Sequence, residues 1–96
     1  STVNDMSEMA EYVLCHHERW DGKGYPKGLK EDEIPLISRI ITIADAYDAM
    51  TSARSYRSAL PDEIAIRELQ KNAGSQFDPE LVNVFIEKVL GQISGL

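Results

Sequence analysis

The chain has 96 residues, with ten Lys and Arg against sixteen Asp and Glu, a net charge of −6 and 43% hydrophobic content. That length holds one domain or part of one, and no stretch approaches the roughly 20 apolar residues of a membrane-spanning helix. Ser1-Thr2-Val3-Asn4-Asp5 lacks the basic and apolar regions of a signal peptide, the single Cys15 makes no internal disulfide and suits a reducing cytoplasm, and the acidic balance argues against nonspecific binding to DNA or RNA.

The spacing predicts a helix over Asp5 to His17, because Met6, Met9, Ala10, Val13 and Leu14 recur at i, i+3, i+4. Residues Trp20 to Gly28 then place three glycines and a proline in nine positions. This predicts an irregular loop whose two aromatic residues, Trp20 and Tyr25, are expected to fix it onto the core. Pro35, behind the acidic run Glu31-Asp32-Glu33, can open the next helix. Ile37, Ile40, Ile41, Ala44, Tyr47 and Met50 form its stripe; as the longest and most apolar element it is the expected core helix. After Thr51-Ser52 comes a connector with Arg54, Tyr56 and Arg57. Pro61-Asp62-Glu63 starts a third helix with Ile64, Ile66 and Leu69 apolar, and Gly74 is placed as its C-terminal cap. Asp78-Pro79-Glu80 starts a fourth, with Leu81, Val82, Phe85, Val89 and Leu90 on its apolar face. No segment alternates with a period of two. The expected class is all-α, about four helices with a long Gly/Pro-containing loop after the first.

The charge is uneven. Residues 16–30 and 51–57 each sum to +2 on an otherwise acidic chain. Both stretches lie beside the residues with chemical potential, and an anionic ligand suits them; chance clustering in a short chain is an equal alternative. His16-His17 offers neutral imidazoles suited to first-row transition metals. Adjacent helical residues point about 100° apart, so the pair serves two ions of one cluster, or one ligates while the other orients. Polar residues at a helix end are the plainer explanation. Asp45 and Asp48 share a face with Ile41 and Ser52. A carboxylate on an apolar helix is paired or metal-bound when buried and solvated when it lies on the edge of the stripe. Two imidazoles and a carboxylate make a partial ligand set for a metal hydrolase. Arg54 and Arg57 suit two-pronged phosphate binding, with surface ion pairs as the alternative.

The run His16-His17-Glu18-Arg19-Trp20-Asp21-Gly22-Lys23-Gly24-Tyr25-Pro26-Lys27-Gly28-Leu29 resembles the signature of the HD-GYP domain, a bacterial branch of the HD metal-dependent phosphohydrolases. The similarity continues through Ile34-Pro35-Leu36, Arg39-Ile40, Ala44 to Thr51, Arg54-Ser55-Tyr56-Arg57 and Gln76-Phe77-Asp78-Pro79. The resemblance implies an all-helical fold, a cluster of divalent metal ions (iron, or manganese) and hydrolysis of cyclic di-GMP or a related cyclic dinucleotide in the cytoplasm. It implies His16, His17 and Asp45 as metal ligands and Asp48 as a supporting carboxylate. Gly24, Tyr25 and Pro26 would shape the substrate pocket, and Arg54 and Arg57 would hold its phosphates. The family's His-Asp dyad and earlier ligands belong upstream, and the only histidines here are His16 and His17. Residues 1–96 are therefore expected to be the C-terminal part of such a domain, inactive alone, binding no metal or only weakly, and self-associating through an uncovered apolar face. The alternative is a non-catalytic module that binds a diguanylate cyclase domain or the nucleotide.

Overall fold

The structure, a computed structural model, describes residues 17–53 and 58–91. The predicted helix over Asp5 to His17 thus lies outside the described residues but for its last position, as do His16, Arg54 and Arg57. Three α-helices follow the loop: α1 (Leu36–Thr51), α2 (Asp62–Lys71) and α3 (Pro79–Val84), which runs on as one π-helical turn, Phe85–Val89. A single 3-10 turn, Glu31–Glu33, precedes α1. Among the described residues there is no strand, only two isolated bridges, Asp21 with Lys30 and Ala73 with Phe77. The class is all-α, as the absence of two-residue alternation predicts.

The helix starts follow from local chemistry. Pro35 and Pro61 occupy the N-cap positions of α1 and α2, where a missing N–H has no consequence. Asp62 and Glu63 in the first turn of α2 and Lys71 in its last complement the helix dipole. Asp78 caps α3, its Oδ1 accepting from the backbone of Glu80 at 3.0 Å and Leu81 at 3.4 Å, with Pro79 next. The other oxygen of Asp78 accepts from the Arg39 guanidinium at 2.7 Å, and Arg39 Nε donates to the Ile34 carbonyl at 2.9 Å. This ion pair, nearly closed to solvent, joins α1 to the start of α3.

Ile43, Leu69, Phe77, Val82 and Ile86 form the buried core, with Ala46, Tyr47, Met50, Ile66, Leu81 and Phe85 packed around them. The faces differ from the expected stripes in three places. On α1, Ile43 is buried while Ile37 and Ile40 are 47% and 44% exposed. The helix is apolar on several sides, so periodicity alone does not choose its inner face; contact with α2 and α3 selects the line Ile43, Ala46, Tyr47, Met50. On α2, Ala65 takes the buried place beside Leu69, and Ile64 turns outward. On α3, Ile86 is buried and Val89 is 67% exposed. There Leu90 N donates to Phe85 O, five residues back, and the wider turn shifts the facing residues. Gly74 does not cap α2. That helix ends at Lys71, with the Asn72 side chain donating to Glu68 O at 2.9 Å, and Gly74 sits later at φ 92° in the 72–77 turn.

Candidate functional site

The site is assembled on the loop between His17 and Lys30. Trp20 N donates to Gln76 O and Asp21 N to Ser75 O, seating the loop on the 72–77 turn, while Glu31 N returns to Trp20 O. The Glu18 carboxylate is 2% exposed and accepts from the backbone N–H groups of Lys27 and Leu29, each at 2.7 Å. Gly24 lies against the chain at 17–19, where a Cβ would stand 2.5 Å from His17 O and from Arg19 N. That approach brings Tyr25 over His17, with the rings stacked at 5.0 Å and 10°, and Tyr25 Oη 3.5 Å from His17 Nδ1. Tyr25 is 63% exposed. It therefore does not fix the loop onto the core as expected; half-buried Trp20 and the Glu18 clasp do that work.

Opposite this loop, α1 presents Thr42, Asp45, Ala46 and Ala49, residues that share a face at helical spacing. Together with His17, Glu18, Arg19 and Gln76 they line a cavity of about 290 Å³. His17 and Asp45, 28 positions apart, thus meet on one cavity, both exposed to it or to solvent. Arg19 adds a cation to the wall, its Nε and Nη2 donating to the two carboxylate oxygens of Asp21 at 3.2 and 3.1 Å. This contact, helped by the Lys23 N–H, holds the half-buried Asp21 carboxyl below its ordinary value, and the same hydrogen bonding raises Arg19.

Asp48 is not part of that wall; its carboxylate accepts from Ser52 Oγ at 3.0 Å, one turn on. Pro26, joined to Tyr25 by a cis bond, is exposed at the loop tip. Among the described residues no three His, Cys, Asp or Glu groups converge as a metal site. His17 and Asp45 are two suitable donors, and Glu18 is occupied by the loop backbone. Residue reasoning missed Glu18, Arg19, Thr42 and Gln76. The sequence signal for Glu18 was an acid just ahead of a glycine-rich loop that needs backbone acceptors; Gln76 carried none.

Comparison with known proteins decides the family. The family model for the HD domain matches residues 1–81. The chain belongs to the HD domain family. A cyclic di-GMP phosphodiesterase of Thermotoga maritima is 50% identical over 78 residues, 81% of this chain and 21% of that protein. A 3'3'-cGAMP-specific phosphodiesterase 2 of Vibrio cholerae is 43% identical over 82 residues, 85% of this chain and 16% of that protein. A crystal structure of a cyclic GMP-AMP specific phosphodiesterase from V. cholerae superposes with a TM-score of 0.71 at 33% identity, covering 85% of this chain and 18% of that one. These relatives bear out the HD-GYP resemblance, and the HD domain chain spans about a fifth of their length. No helix among the described residues is long and apolar enough to cross a membrane.

Proposed function

We propose that this HD domain chain is part of a metal-dependent cyclic dinucleotide phosphodiesterase, cytoplasmic, with cyclic di-GMP as substrate. The observation that carries this reading is the meeting of His17 and Asp45 on one cavity, beneath a loop that carries Gly24, Tyr25 and Pro26. An imidazole and a carboxylate fit a first-row divalent ion, iron or manganese, as two ligands of a set that His16 extends. Such an ion, when bound, lowers the pKa of water and polarises a phosphodiester.

The chain's own residues then divide the remaining work. Tyr25 restrains the His17 ring, Arg19 offers a guanidinium to an anion entering the cavity, and Arg54 and Arg57 hold phosphate. Asp48 supports the end of α1 through Ser52. With two donors on the cavity among the described residues and two histidines in the sequence, the isolated chain is inactive. Its uncovered apolar face, where Ile37, Ile40, Val84 and Val89 are each more than two-fifths exposed, pairs with a second copy. The exposure of Tyr25 favours a second use of the same loop, as a docking point for a diguanylate cyclase domain.

The test is made in the complete domain. Asp45→Ala is expected to lower metal content, whereas Arg54→Ala keeps the metal and weakens cyclic di-GMP binding, because a carboxylate holds cations and a guanidinium holds phosphate. Equal metal loss in both variants would contradict the assignment. Cyclic di-GMP turnover by the isolated chain with Fe²⁺ or Mn²⁺, abolished by His17→Ala, would refute its inactivity.

A further inference from the structure

Of the two acids on the cavity wall, Asp45 is exposed and Glu18 is buried. The buried one is bound to the loop. Both its oxygens go to loop backbone, at Lys27 N and Leu29 N, at 2.7 Å each. Bonds that short to an ionised acceptor are strong, and at 2% exposure water does not compete for them. By contrast, the direct bond between the loop and the His17 segment, Tyr25 N to His17 O, is long at 3.4 Å. The 72–77 turn holds the loop at Trp20 and Asp21, Glu18 ties down its far side at Lys27 and Leu29, and Gly24 permits the close approach. The consequence is felt one residue away. Tyr25 stacks on the His17 ring and places its hydroxyl at Nδ1, which fixes the plane of the imidazole.

We propose that Glu18 is a positioning residue of this cavity: by clamping Lys27 and Leu29 it holds Tyr25 against His17 and so sets the orientation of that imidazole. The inference rests on the reading of His17 as a metal ligand, which gives the orientation its purpose. A carboxylate is required. The amide of Gln has the same shape but turns an NH₂ group toward one of the two N–H donors, so one bond is lost and the loop is released on one side.

The test is proton NMR of the whole chain without metal. Its two histidines give two ring Hε1 signals, assigned with His16→Gln. The His17 signal carries the ring-current shift of Tyr25. Glu18→Gln and Tyr25→Leu are each expected to abolish that shift, and the double variant to add nothing further, with helix content by circular dichroism unchanged. Glu18→Ala is expected to repeat the Glu18→Gln result. The proposal is overturned if Glu18→Gln leaves the His17 signal in place, if the two effects add, or if both Glu18 variants lose their helices, which would make the role purely structural. In the complete domain, a His17→Ala variant that keeps its full metal content would count against the metal reading and not against the clamp.

Discussion

Gly24→Ala isolates the contact that builds the site. Gly24 is not among the glycines with positive φ, so its backbone accepts alanine. The added Cβ would stand 2.5 Å from Arg19 N, 2.5 Å from His17 O and 2.7 Å from Glu18 Cα. All three are backbone atoms, so no side chain can turn away. Ordinary contact lies near 3.5 Å, and the loop must withdraw by about 1 Å. That motion breaks the Tyr25 N to His17 O bond, already at 3.4 Å, and strains the Glu18 clasp. Forced overpacking costs about 1–3 kcal/mol and a lost hydrogen bond about 1 kcal/mol, giving about 2–4 kcal/mol in all. Gly74→Ala is the comparison. Its Cβ meets nothing within 4 Å, and its penalty is only backbone strain at φ 92°, about 1–2 kcal/mol. Urea titration with a slope of about 1–1.5 kcal/mol/M should lower the Gly24→Ala midpoint by roughly 2 M. A Gly24→Ala midpoint at or above that of Gly74→Ala would refute the reasoning.

Three further outcomes are expected. Asp78→Ala removes the α3 cap and strands Arg39, a partner with 17% side-chain exposure, so it should cost about 3 kcal/mol by urea titration; Arg39→Met combined with Asp78→Asn should cost less than the sum of the single changes. Burial, and then the Asp62 carboxylate, raise the Tyr47 hydroxyl above its usual value. The folded state therefore keeps that proton longer than the unfolded one, and the contribution is whole below about pH 10 and lost as pH rises through the folded value; thermal midpoints from about pH 9 to about pH 11 should fall less steeply in Tyr47→Phe. Static light scattering should show self-association that Ile40→Asp abolishes, and a 10.8 kDa monomer at millimolar concentration without dye-binding apolar surface would rule it out.

Helix starts were legible because their causes are local. Asp78-Pro79-Glu80 carries its own cap, and Pro35 and Pro61 stop the chain from being helical before them. Inner faces were less so. Leu36, Ile37, Ile40, Ile41 and Ile43 surround α1, and only its neighbours decide that Ile43 goes in. The π-helical turn at Phe85–Val89 shifts Ile86 inward, a change of register invisible to a 3.6-residue pattern. In the site, residue types and motif order pointed to His17, Asp45 and the Gly24-Tyr25-Pro26 loop. Helical spacing alone does not say that Asp45 reaches the cavity and Asp48 does not, since both lie within one turn and differ only in angle; it was the family resemblance that gave the two acids different roles. Glu18 was faint for another reason: its partners are backbone N–H groups, so its only trace in the sequence is an acid ahead of a glycine-rich loop.

The 72–77 turn explains why the site and the core are not separable. Its Ser75 and Gln76 carbonyls seat the His17 loop, and Gln76 also lines the cavity. The next residue, Phe77, is buried in the core, and the one after, Asp78, both caps α3 and pairs with Arg39 of α1. Four consecutive residues thus fix the loop, the cavity wall, the core and the helix that carries Asp45. The start of α3 is joined to the His17 loop through the backbone bonds of Ser75 and Gln76. The two donors, 28 positions apart in sequence, keep their spacing only while this turn holds both the loop and α1 in place.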